Sequence, residues 1–294
     1  MKIYIASSGK YIGKIQEDIY MREIYKNKGF FSEIATMKDI VNISKSFDLV
    51  ILKSIWGYYT DYQKFLGQIM ALKKKHIRLV NDYDFIFWNI DKSKYLYEIK
   101  HINIVPTISL QLKRIGTVPE IRNAILKASK TLNTDVLIIK PCVSESGYLT
   151  LKYDINKENK TTITLLKNNK HLDFIAQPYR PAISKGEISI IIINGIPLYG
   201  IKRFPGIFSN KLEPIYIKMA NIPNVIKKEL TLLKDFFLKK FGVLPDICRV
   251  DFLKFNTSYE ILEVELIDPD LFFRYIPENM KKKVVSSLCK SLTI

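Results

Sequence analysis

The chain has 294 residues, 47% of them apolar and 26% charged, with only 12 glycines and 12 prolines; this is the composition of a globular protein and excludes collagen-like and low-complexity classes. Its three cysteines, Cys142, Cys248 and Cys289, are too few for a disulfide framework and lack CxxC spacing, so a reducing compartment is expected and a structural zinc site is not. The 46 Lys and Arg residues against 29 Asp and Glu give a net charge of +17, which attracts anions of every kind.

The first ninety residues alternate short apolar runs with amphipathic helical patterns. Strands are predicted at Lys2–Ala6, Phe31–Ala35, Leu49–Leu52 and Arg78–Val80, and helices at Glu17–Lys28 and Tyr62–Lys75. This alternation predicts a parallel sheet covered by helices, which binds ligands at the carboxyl ends of its strands. Because the first strand runs directly into Ser7-Ser8-Gly9-Lys10 and no apolar run approaches 18 residues, we expect no signal peptide, no membrane span and a cytoplasmic location.

Near residue 90 the pattern changes to mixed α+β. Helices are predicted at Asp91–Lys100, Asn224–Phe241 and Glu278–Leu292, and strands at Val136–Lys140, Leu149–Tyr153, Thr161–Leu166, Phe174–Gln177, Glu187–Ile193, Pro197–Ile201, Arg249–Phe255 and Tyr259–Ile267. The last two strands form a hairpin around Asn256-Thr257-Ser258. We predict three units, namely an α/β domain at residues 1–90, a small lobe at 91–180 and a large lobe at 181–294.

The predicted hairpin carries an unusual set of charges on one face. Side chains alternate along a strand, so Arg249 and Asp251 share a face, as do Glu263 and Glu265. Pairing symmetric about Thr257 places Asp251 opposite Glu263 and Arg249 opposite Glu265. Three carboxylates on one patch repel one another and need a cation.

Oxygen ligands of this kind select hard cations. The three carboxylates therefore predict Mg²⁺ (or Mn²⁺ in its place) bound by Asp251, Glu263 and Glu265 and bridging phosphates. A solvated strand face is the simpler alternative, but it does not explain three acids together in a chain of +17. Near the turn, the same register pairs Lys254 with Glu260.

Two further segments are candidates for phosphate binding. A buried strand delivers Lys140 to its end, and the small-residue loop that follows contains Ser144, Ser146 and Gly147. Backbone N–H groups of such a loop can cradle phosphate, to which the lysine adds a point charge. Asn89-Ile90-Asp91-Lys92 offers a second lysine at a helix start. Taken singly, each segment fits an ordinary surface lysine as well.

The segment after residue 173 is a candidate for nucleoside binding. Gln177 and Tyr179 lie in an extended run that can offer main-chain groups to an adenine edge, and Glu187, ten residues after Gln177, can bind ribose hydroxyls. Lys202 and Arg203 follow on the returning strand after the Asn194-Gly195 turn. The simpler alternative is two strands joined by a polar loop, with surface charges.

In this order the motifs resemble the ATP-grasp superfamily. The set is Asp-Lys, Ile-Lys-Pro with a small-residue loop, Gln-Pro-Tyr, Gly-Glu-x-Ser, Lys-Arg-x-Pro, Arg-x-Asp and Glu-x-Glu. Residues 80–81, 88–96, 105–107 and 263–272 look like the bacterial glutathione-synthetase-like branch, which includes the cycloserine-forming cyclo-ligase. The resemblance covers roughly residues 48–275, and it is the ordered set rather than any single motif that is specific.

The resemblance implies a role for each candidate residue. It implies phosphate contacts from Lys92, Lys140 and Lys202, a mobile lid at 144–148, an adenine site at Gln177 and Tyr179, a ribose contact from Glu187, Mg²⁺ ligands at Asp251, Glu263 and Glu265, and an arginine, Arg249, that stabilises the tetrahedral intermediate. Candidate substrate contacts are Lys53, Trp56, Ser189, Arg203 and Arg274.

Two segments depart from the family pattern. The lid is Ser144-Glu145-Ser146-Gly147 where relatives are rich in glycine, and an acid beside a triphosphate is unfavourable unless it points away. Relatives end a strand of the first domain with Arg-x-x-Trp-Asp-Tyr, whereas this chain has Lys53-Ser54-Ile55-Trp56-Gly57-Tyr58. We therefore expect a different substrate, anionic and bound near Lys53 and Trp56. A core Trp56 and a solvated Lys53 are the alternative.

The expected fold is α/β plus α+β, an ATP-grasp fold with an N-terminal pre-ATP-grasp parallel-sheet domain. The expected enzyme is an ATP-dependent, ADP-forming ligase that joins a carboxylate to an amine through an acyl phosphate, acting on an amino acid, small acid or peptide. Two alternatives stay open: a degenerate scaffold that binds nucleotide without turnover, and a basic nucleic-acid-binding protein. The absence of RNP, zinc-finger and bZIP signatures disfavours the latter. A homodimer is left open.

Overall fold

In the computed structural model, which describes residues 1–46, 48–115, 117–157, 159–204 and 212–292, the first unit is a parallel sheet flanked by helices. Its elements are β1 (Lys2–Ala6), α1 (Gln16–Asn27), β2 (Phe31–Ala35), α2 (Met37–Ile43), β3 (Leu49–Leu52), α3 (Tyr62–Lys74) and β4 (Arg78–Val80). The strand order is β2-β1-β3-β4. Every residue of β3 is buried, as expected for a strand covered on both faces. The predicted parallel sheet is confirmed.

The second unit is an antiparallel sheet with helices packed on it. It follows α4 (Tyr83–Asn89), the last helix of the first unit, and its elements are α5 (Lys92–Glu98), β5 (Ile108–Ser109), α6 (Val118–Leu132), β6 (Val136–Pro141), β7 (Leu151–Asp154), α7 (Lys160–Asn168) and β8 (Phe174–Pro178). The strand order is β5-β8-β6-β7. The end of β6 carries Lys140 toward the loop that begins at Cys142.

The third unit is a longer antiparallel sheet. Its elements are β9 (Glu187–Ile193), β10 (Ile196–Arg203), β11 (Ile215–Lys218), α8 (Asn224–Phe241), β12 (Ile247–Phe255), β13 (Ser258–Glu265) and α9 (Glu278–Leu292). The strand order is β11-β10-β9-β12-β13. In the part of the chain that the structure describes, no helix is long and apolar enough to cross a membrane.

One predicted strand is a helix, and three helices escaped prediction. Thr161–Leu166 lies in α7, where Ile163 and Leu166 are buried one helical turn apart, so helical packing overrides the strand preference of its threonines. The missed helices are α2, α4 and α6. For α6 the signal was present: Thr117 and Glu120 form a capping box at its start, and its apolar residues follow helical spacing.

Two asparagines fasten the first unit to the hairpin β12–β13. The Asn81 side chain donates to the carbonyl oxygens of Ile247 (2.6 Å) and Leu266 (2.7 Å) and accepts from the Ile247 N–H (2.8 Å). Asn89 donates to the Val264 carbonyl and accepts from the Leu266 N–H, both at 2.8 Å. Each amide thus imitates a neighbouring strand and fixes the hairpin that carries the predicted metal ligands.

The first and third units share a core. Val285 and Leu288 of α9 belong to the same buried cluster as Ile3 and Ile5 of β1, and α9 contacts α1 of the first unit. The three sheets fall inside the three predicted ranges, but the unit boundaries themselves stay a prediction.

Candidate functional site

A cavity of about 480 Å³ lies where the three sheets meet. Thirteen of the residues singled out from the sequence line it: Trp56, Lys92, Lys140, Ser144, Ser146, Gly147, Gln177, Tyr179, Glu187, Arg203, Arg249, Glu263 and Glu265. Most of them are far apart in the chain. The fold therefore brings together the greater part of the predicted site.

The hairpin places its charges as predicted. Arg249 pairs with Glu265 across the two strands, and Asp251 pairs with Glu263. This register does not arise from pairing that is symmetric about Thr257, as the sequence predicted. The loop has two residues, with Asn256 in the left-handed region at a φ of 53°, and a bulge after Asp251 restores the register.

The bulge changes the pairing on the turn side of Asp251. Lys254 lies opposite Tyr259 rather than Glu260, so the expected pair of Lys254 with Glu260 is wrong. Glu260 instead receives two hydrogen bonds from Arg180, from Nε at 2.8 Å and Nη2 at 3.0 Å. This bidentate pair ties the end of β8 to the hairpin. Sequence reasoning missed Arg180, which also lines the cavity.

Asp251 is fully buried behind the cavity wall, where it holds two arginines. It accepts from Arg203 Nη2 at 2.6 Å, from Arg249 Nε at 3.0 Å and from Ser189 Oγ at 2.7 Å. Burial opposes its ionisation, but the two guanidinium charges hold its pKa at about 2. The same carboxylate, with Glu265 and Glu263, raises the pKa of Arg249 despite its burial. Asp251 therefore fixes Arg249 in place as a permanent cation.

Two of the three expected metal ligands face the cavity. Glu263 lies 3.2 Å from the Lys92 ammonium through Oε1, and Glu265 accepts from the Ile267 and Asp268 N–H groups through Oε1. Asp251, by contrast, has both oxygens engaged by the arginines and Ser189. Among the described residues, no three or more His, Cys, Asp and Glu side chains converge as metal ligands. The expected three-carboxylate ligand set is thus not formed.

The remaining donors still suit magnesium. Mg²⁺ in nucleotide enzymes usually takes one or two carboxylates and completes its coordination with phosphate oxygens and water. Glu263 and Glu265 supply such a pair. The expected mutual repulsion of the acids is offset, because Lys92 and Lys140 lower the pKa of Glu263 against the effect of burial.

Lys92 and Lys140 lie side by side, buried in the wall. The Lys92 ammonium donates to the Ser144 carbonyl at 2.5 Å, and this contact joins the start of α5 to the lid. Burial lowers the pKa of Lys140, and the charge of Lys92 adds to this effect. An anion between the two ammonium groups would offset both the burial of the Lys140 charge and its repulsion by Lys92.

The acid in the lid points away from these lysines. Glu145 accepts a hydrogen bond from the Gly57 N–H in the first unit, and the rings of Tyr148 and Tyr59 lie 4.5 Å apart. Burial raises the pKa of Glu145 to about 7. The departure of the lid from the glycine-rich pattern is thereby explained: Glu145 links the lid to the first unit.

The segment predicted to bind the nucleoside lines the cavity, and several of its polar groups already have partners in the protein. Gln177 is buried and donates from Nε2 to Thr107 Oγ1 at 2.8 Å. The Tyr179 N–H is already donated to the Val136 carbonyl at 2.8 Å, so it is not the donor that an adenine edge would meet. Glu187 pairs with Arg203 at 2.6 Å. Burial raises the pKa of Glu187 to about 7, although Arg203 opposes the shift.

Lys202 does not reach the site. It neighbours Arg203 on β10, and adjacent strand residues point to opposite faces. Arg203 contacts Glu187, Ser189 and Asp251, so Lys202 faces away, near the Phe204 ring at 5.4 Å. The expected phosphate contact from Lys202 is therefore not supported by its position, whereas Arg203, expected as a substrate contact, lines the cavity.

Lys53 and Arg274 also lie outside the cavity wall. Lys53 is 2% exposed and is neutralised by Glu17 at 2.7 Å, with the Pro269 carbonyl at 2.5 Å. Arg274 is exposed and reaches Asp270 at 3.5 Å from outside. An anionic substrate at Lys53 is therefore contradicted, because that charge is already paired. Of the residues expected to contact substrate, Trp56 and Arg203 line the cavity.

Comparisons with known proteins agree with this geometry. Residues 108–211 match the family described as prokaryotic glutathione synthetase, ATP-grasp domain. No curated protein matches the chain in sequence. Among solved structures, D-cycloserine synthetase DcsG has a TM-score of 0.80 at 15% identity, covering 99% of this chain and 100% of that one.

Two other similar structures are those of ligases. D-alanine–D-alanine ligase from Bacillus anthracis has a TM-score of 0.67 at 16% identity, with 100% and 97% of the two chains covered. ATP-grasp ligase PsnB, with minimal precursor, Mg and ADP, has a TM-score of 0.62 at 9% identity and coverages of 99% and 98%. The predicted ATP-grasp fold is confirmed. The PsnB structure contains Mg and ADP, and another structure of the Bacillus anthracis ligase contains ATP. The chain thus has the ATP-grasp fold over its whole length, and within it residues 108–211 match an ATP-grasp domain of the prokaryotic glutathione-synthetase type.

Proposed function

We propose that this chain is an ATP-dependent carboxylate–amine ligase that works through an acyl phosphate. The observation that carries the proposal is the convergence in one cavity of two lysines from the second unit with two glutamates and an arginine from the third: Lys92, Lys140, Glu263, Glu265 and Arg249. The ligases of the same fold support it. The substrates are an amino acid, a small acid or a peptide.

In the proposed first step, a substrate carboxylate oxygen attacks the γ-phosphorus of ATP, and the bond to ADP breaks. Lys92 and Lys140 hold phosphate oxygens by charge-assisted hydrogen bonds. Glu263 and Glu265 would hold Mg²⁺, and the bound ion would neutralise phosphate charge. The lid, held to the first unit through Glu145, keeps water away from the acyl phosphate.

In the proposed second step, the amine nitrogen attacks the acyl carbon, phosphate leaves and the amine gives up a proton. Negative charge develops on the acyl oxygen in the transition state. Arg249, fixed by Asp251 at 3.0 Å, is the preorganised cation that stabilises it. The cytoplasm, with its ATP pool, is the proposed location, consistent with three free, buried cysteines.

The test measures ADP release by the full chain with Mg-ATP and a panel of amino acids, small acids and short peptides. We expect acceptor-dependent ADP release that Glu263→Gln abolishes, while Glu23→Gln, a change at an exposed surface acid, leaves it intact. Parental turnover by Glu263→Gln would contradict the metal assignment. Binding of a non-hydrolysable ATP analogue without turnover on any acceptor would identify a degenerate scaffold instead.

A further inference from the structure

Aliphatic side chains of the second and third units line part of the cavity. Ile138 lies opposite Gln177 of the predicted nucleoside segment in the β6–β8 pair, and Leu253 lies opposite Glu260 in the hairpin β12–β13. Apolar walls with a few polar groups beside them suit the faces of a purine base. We call this part the aliphatic slot, and the residues that define it are Val105, Ile138, Ile183, Leu253 and Leu262.

One ion pair joins the two walls of the aliphatic slot. Arg180, three residues after Gln177, donates to Glu260 from Nε at 2.8 Å and from Nη2 at 3.0 Å. Its guanidinium carbon lies 3.7 Å from the centre of the Phe255 ring. The Arg180 and Glu260 side chains are only 15% and 7% exposed. A planar guanidinium held by two hydrogen bonds and a stacked ring is fixed in orientation, so the pair holds the nucleoside segment against the hairpin.

A different contact holds the other side of the same wall. The Val105 N–H donates to the Ile261 carbonyl of β13 at 2.9 Å, so Val105 is attached to the hairpin through its backbone. At the position of Gln177 the attachment is instead the side chain of Arg180. Because Glu260 neutralises this guanidinium, Arg180 serves to position the wall and does not add a free cation to those of Lys92 and Lys140.

We infer that Arg180 is a positioning residue for the nucleotide: through Glu260 it sets the separation of the two walls of the aliphatic slot, and thereby the affinity for the base, without contributing to the binding of the triphosphate. The inference rests on the proposed function for the identity of the nucleotide as ATP. It separates the binding of the base from the binding of the phosphates, and each can be measured with its own ligand.

The first experiment compares a ligand that has a base with one that has none. The full chain and Arg180→Met are titrated calorimetrically with a non-hydrolysable ATP analogue and with inorganic tripolyphosphate. We expect Arg180→Met to weaken the analogue tenfold or more and tripolyphosphate less than twofold. Parental affinity for the analogue would overturn the inference. Equal weakening of both ligands would also overturn it, because a general loss of structure affects both. Arg22→Met, in an exposed ion pair with Glu23, is the control.

The second experiment tests whether Arg180 acts through Glu260. Glu260→Gln keeps the shape of the side chain but removes the charge, and it should cause the same selective loss of affinity for the analogue. The double variant Arg180→Met with Glu260→Gln should bind the analogue no more weakly than Arg180→Met alone, since both changes remove one interaction. Arg180→Lys keeps the charge without the paired hydrogen bonds and should resemble Arg180→Met. Additive losses, or parental affinity in Arg180→Lys, would overturn the positioning role.

The inference and the proposed function fail in different ways. In steady-state ADP release, Arg180→Met should raise KM for ATP tenfold or more and leave kcat within threefold of the parent. If the parent releases ADP with an acceptor and Arg180→Met has the parental KM for ATP, the ligase stands and the inference falls. If Arg180→Met selectively weakens the analogue but no acceptor supports ADP release by the parent, the inference stands and the proposed reaction falls.

Discussion

The two ends of the cavity are built in opposite ways. The phosphate end takes its cations from the ends of regular elements, Lys140 from β6 and Lys92 from α5, with the lid between them. The opposite end, here called the acidic–aromatic end, is lined by Trp56, Tyr58, Asp268, Asp270 and Phe272. It joins two irregular loops more than two hundred residues apart, held by the Ile55 N–H and Asp268. One end therefore collects ammonium groups, and the other collects carboxyl groups and aromatic rings.

The difference shows which kinds of site a sequence reveals. The phosphate end can be recognised from a local pattern, because the lysine at the end of an apolar strand and the small residues after it lie within a dozen residues of one another. The acidic–aromatic end has no such local pattern, because Trp56 and Asp270 meet only once the hairpin has been fixed to the first unit by Asn81 and Asn89. Substitutions of the residues that line the cavity test this difference.

The largest effect is expected from Arg249→Lys. Lysine keeps the charge but cannot make the paired contacts of the guanidinium Nε and Nη2 with Asp251. Loss of one preorganised oxyanion partner costs about a hundredfold or more in kcat. Steady-state ADP production measures it, with Arg22→Lys on the surface as control. A rate within threefold of the parent would remove Arg249 from the chemistry.

The next effect is on nucleotide binding. Lys140→Met removes a buried ammonium beside Lys92, and a charge-assisted hydrogen bond is worth about 1.5–3 kcal/mol, so affinity for a non-hydrolysable ATP analogue should fall roughly ten- to a hundredfold. Burial already lowers the pKa of Lys140, so the folded protein tolerates its loss. Lys127→Met on the exposed face of α6 is the matched control. Unchanged affinity in Lys140→Met would contradict the phosphate role.

A smaller effect separates neighbouring residues of β10. Arg203→Met removes the ion pairs with Glu187 and Asp251, and we expect roughly a tenfold loss of kcat/KM for ATP, since one partner of a buried ion pair is lost. Lys202→Met, on the opposite face, should change kcat/KM less than twofold. A larger loss of kcat/KM in Lys202→Met than in Arg203→Met would instead support Lys202 as the phosphate contact.

Several parts of the site could be predicted from the sequence and others could not, for physical reasons. The shared face of Arg249 and Asp251 follows from strand alternation, whereas the opposition of Asp251 to Glu263 also needs the bulge after Asp251. That Asp251 is not available as a metal ligand could not be predicted, because it depends on Arg203, which comes from another strand. Likewise Lys53 reads as a solvated or substrate-binding lysine, and only the tertiary fold shows Glu17 and Pro269 neutralising it.

The smallest predicted effect concerns the lid, which connects the two ends of the cavity. Burial raises the pKa of Glu145 to about 7 in the folded state, so the folded protein holds its proton more tightly than the unfolded chain. Stability from this group is therefore fully present below about pH 4.5 and is lost as the pH rises through 7.

The test compares the free energy of unfolding in urea at pH 5.5 and pH 8 without ligands. Glutamine cannot ionise, so Glu145→Gln should lose about 1–2 kcal/mol less than the parent over this interval, after allowance for partial exposure of the side chain. Glu187 titrates in both proteins and cancels in the comparison. Glu23→Gln should follow the parent. If Glu145→Gln shows the parental pH dependence, Glu145 is not held in the buried environment that links the lid to the first unit.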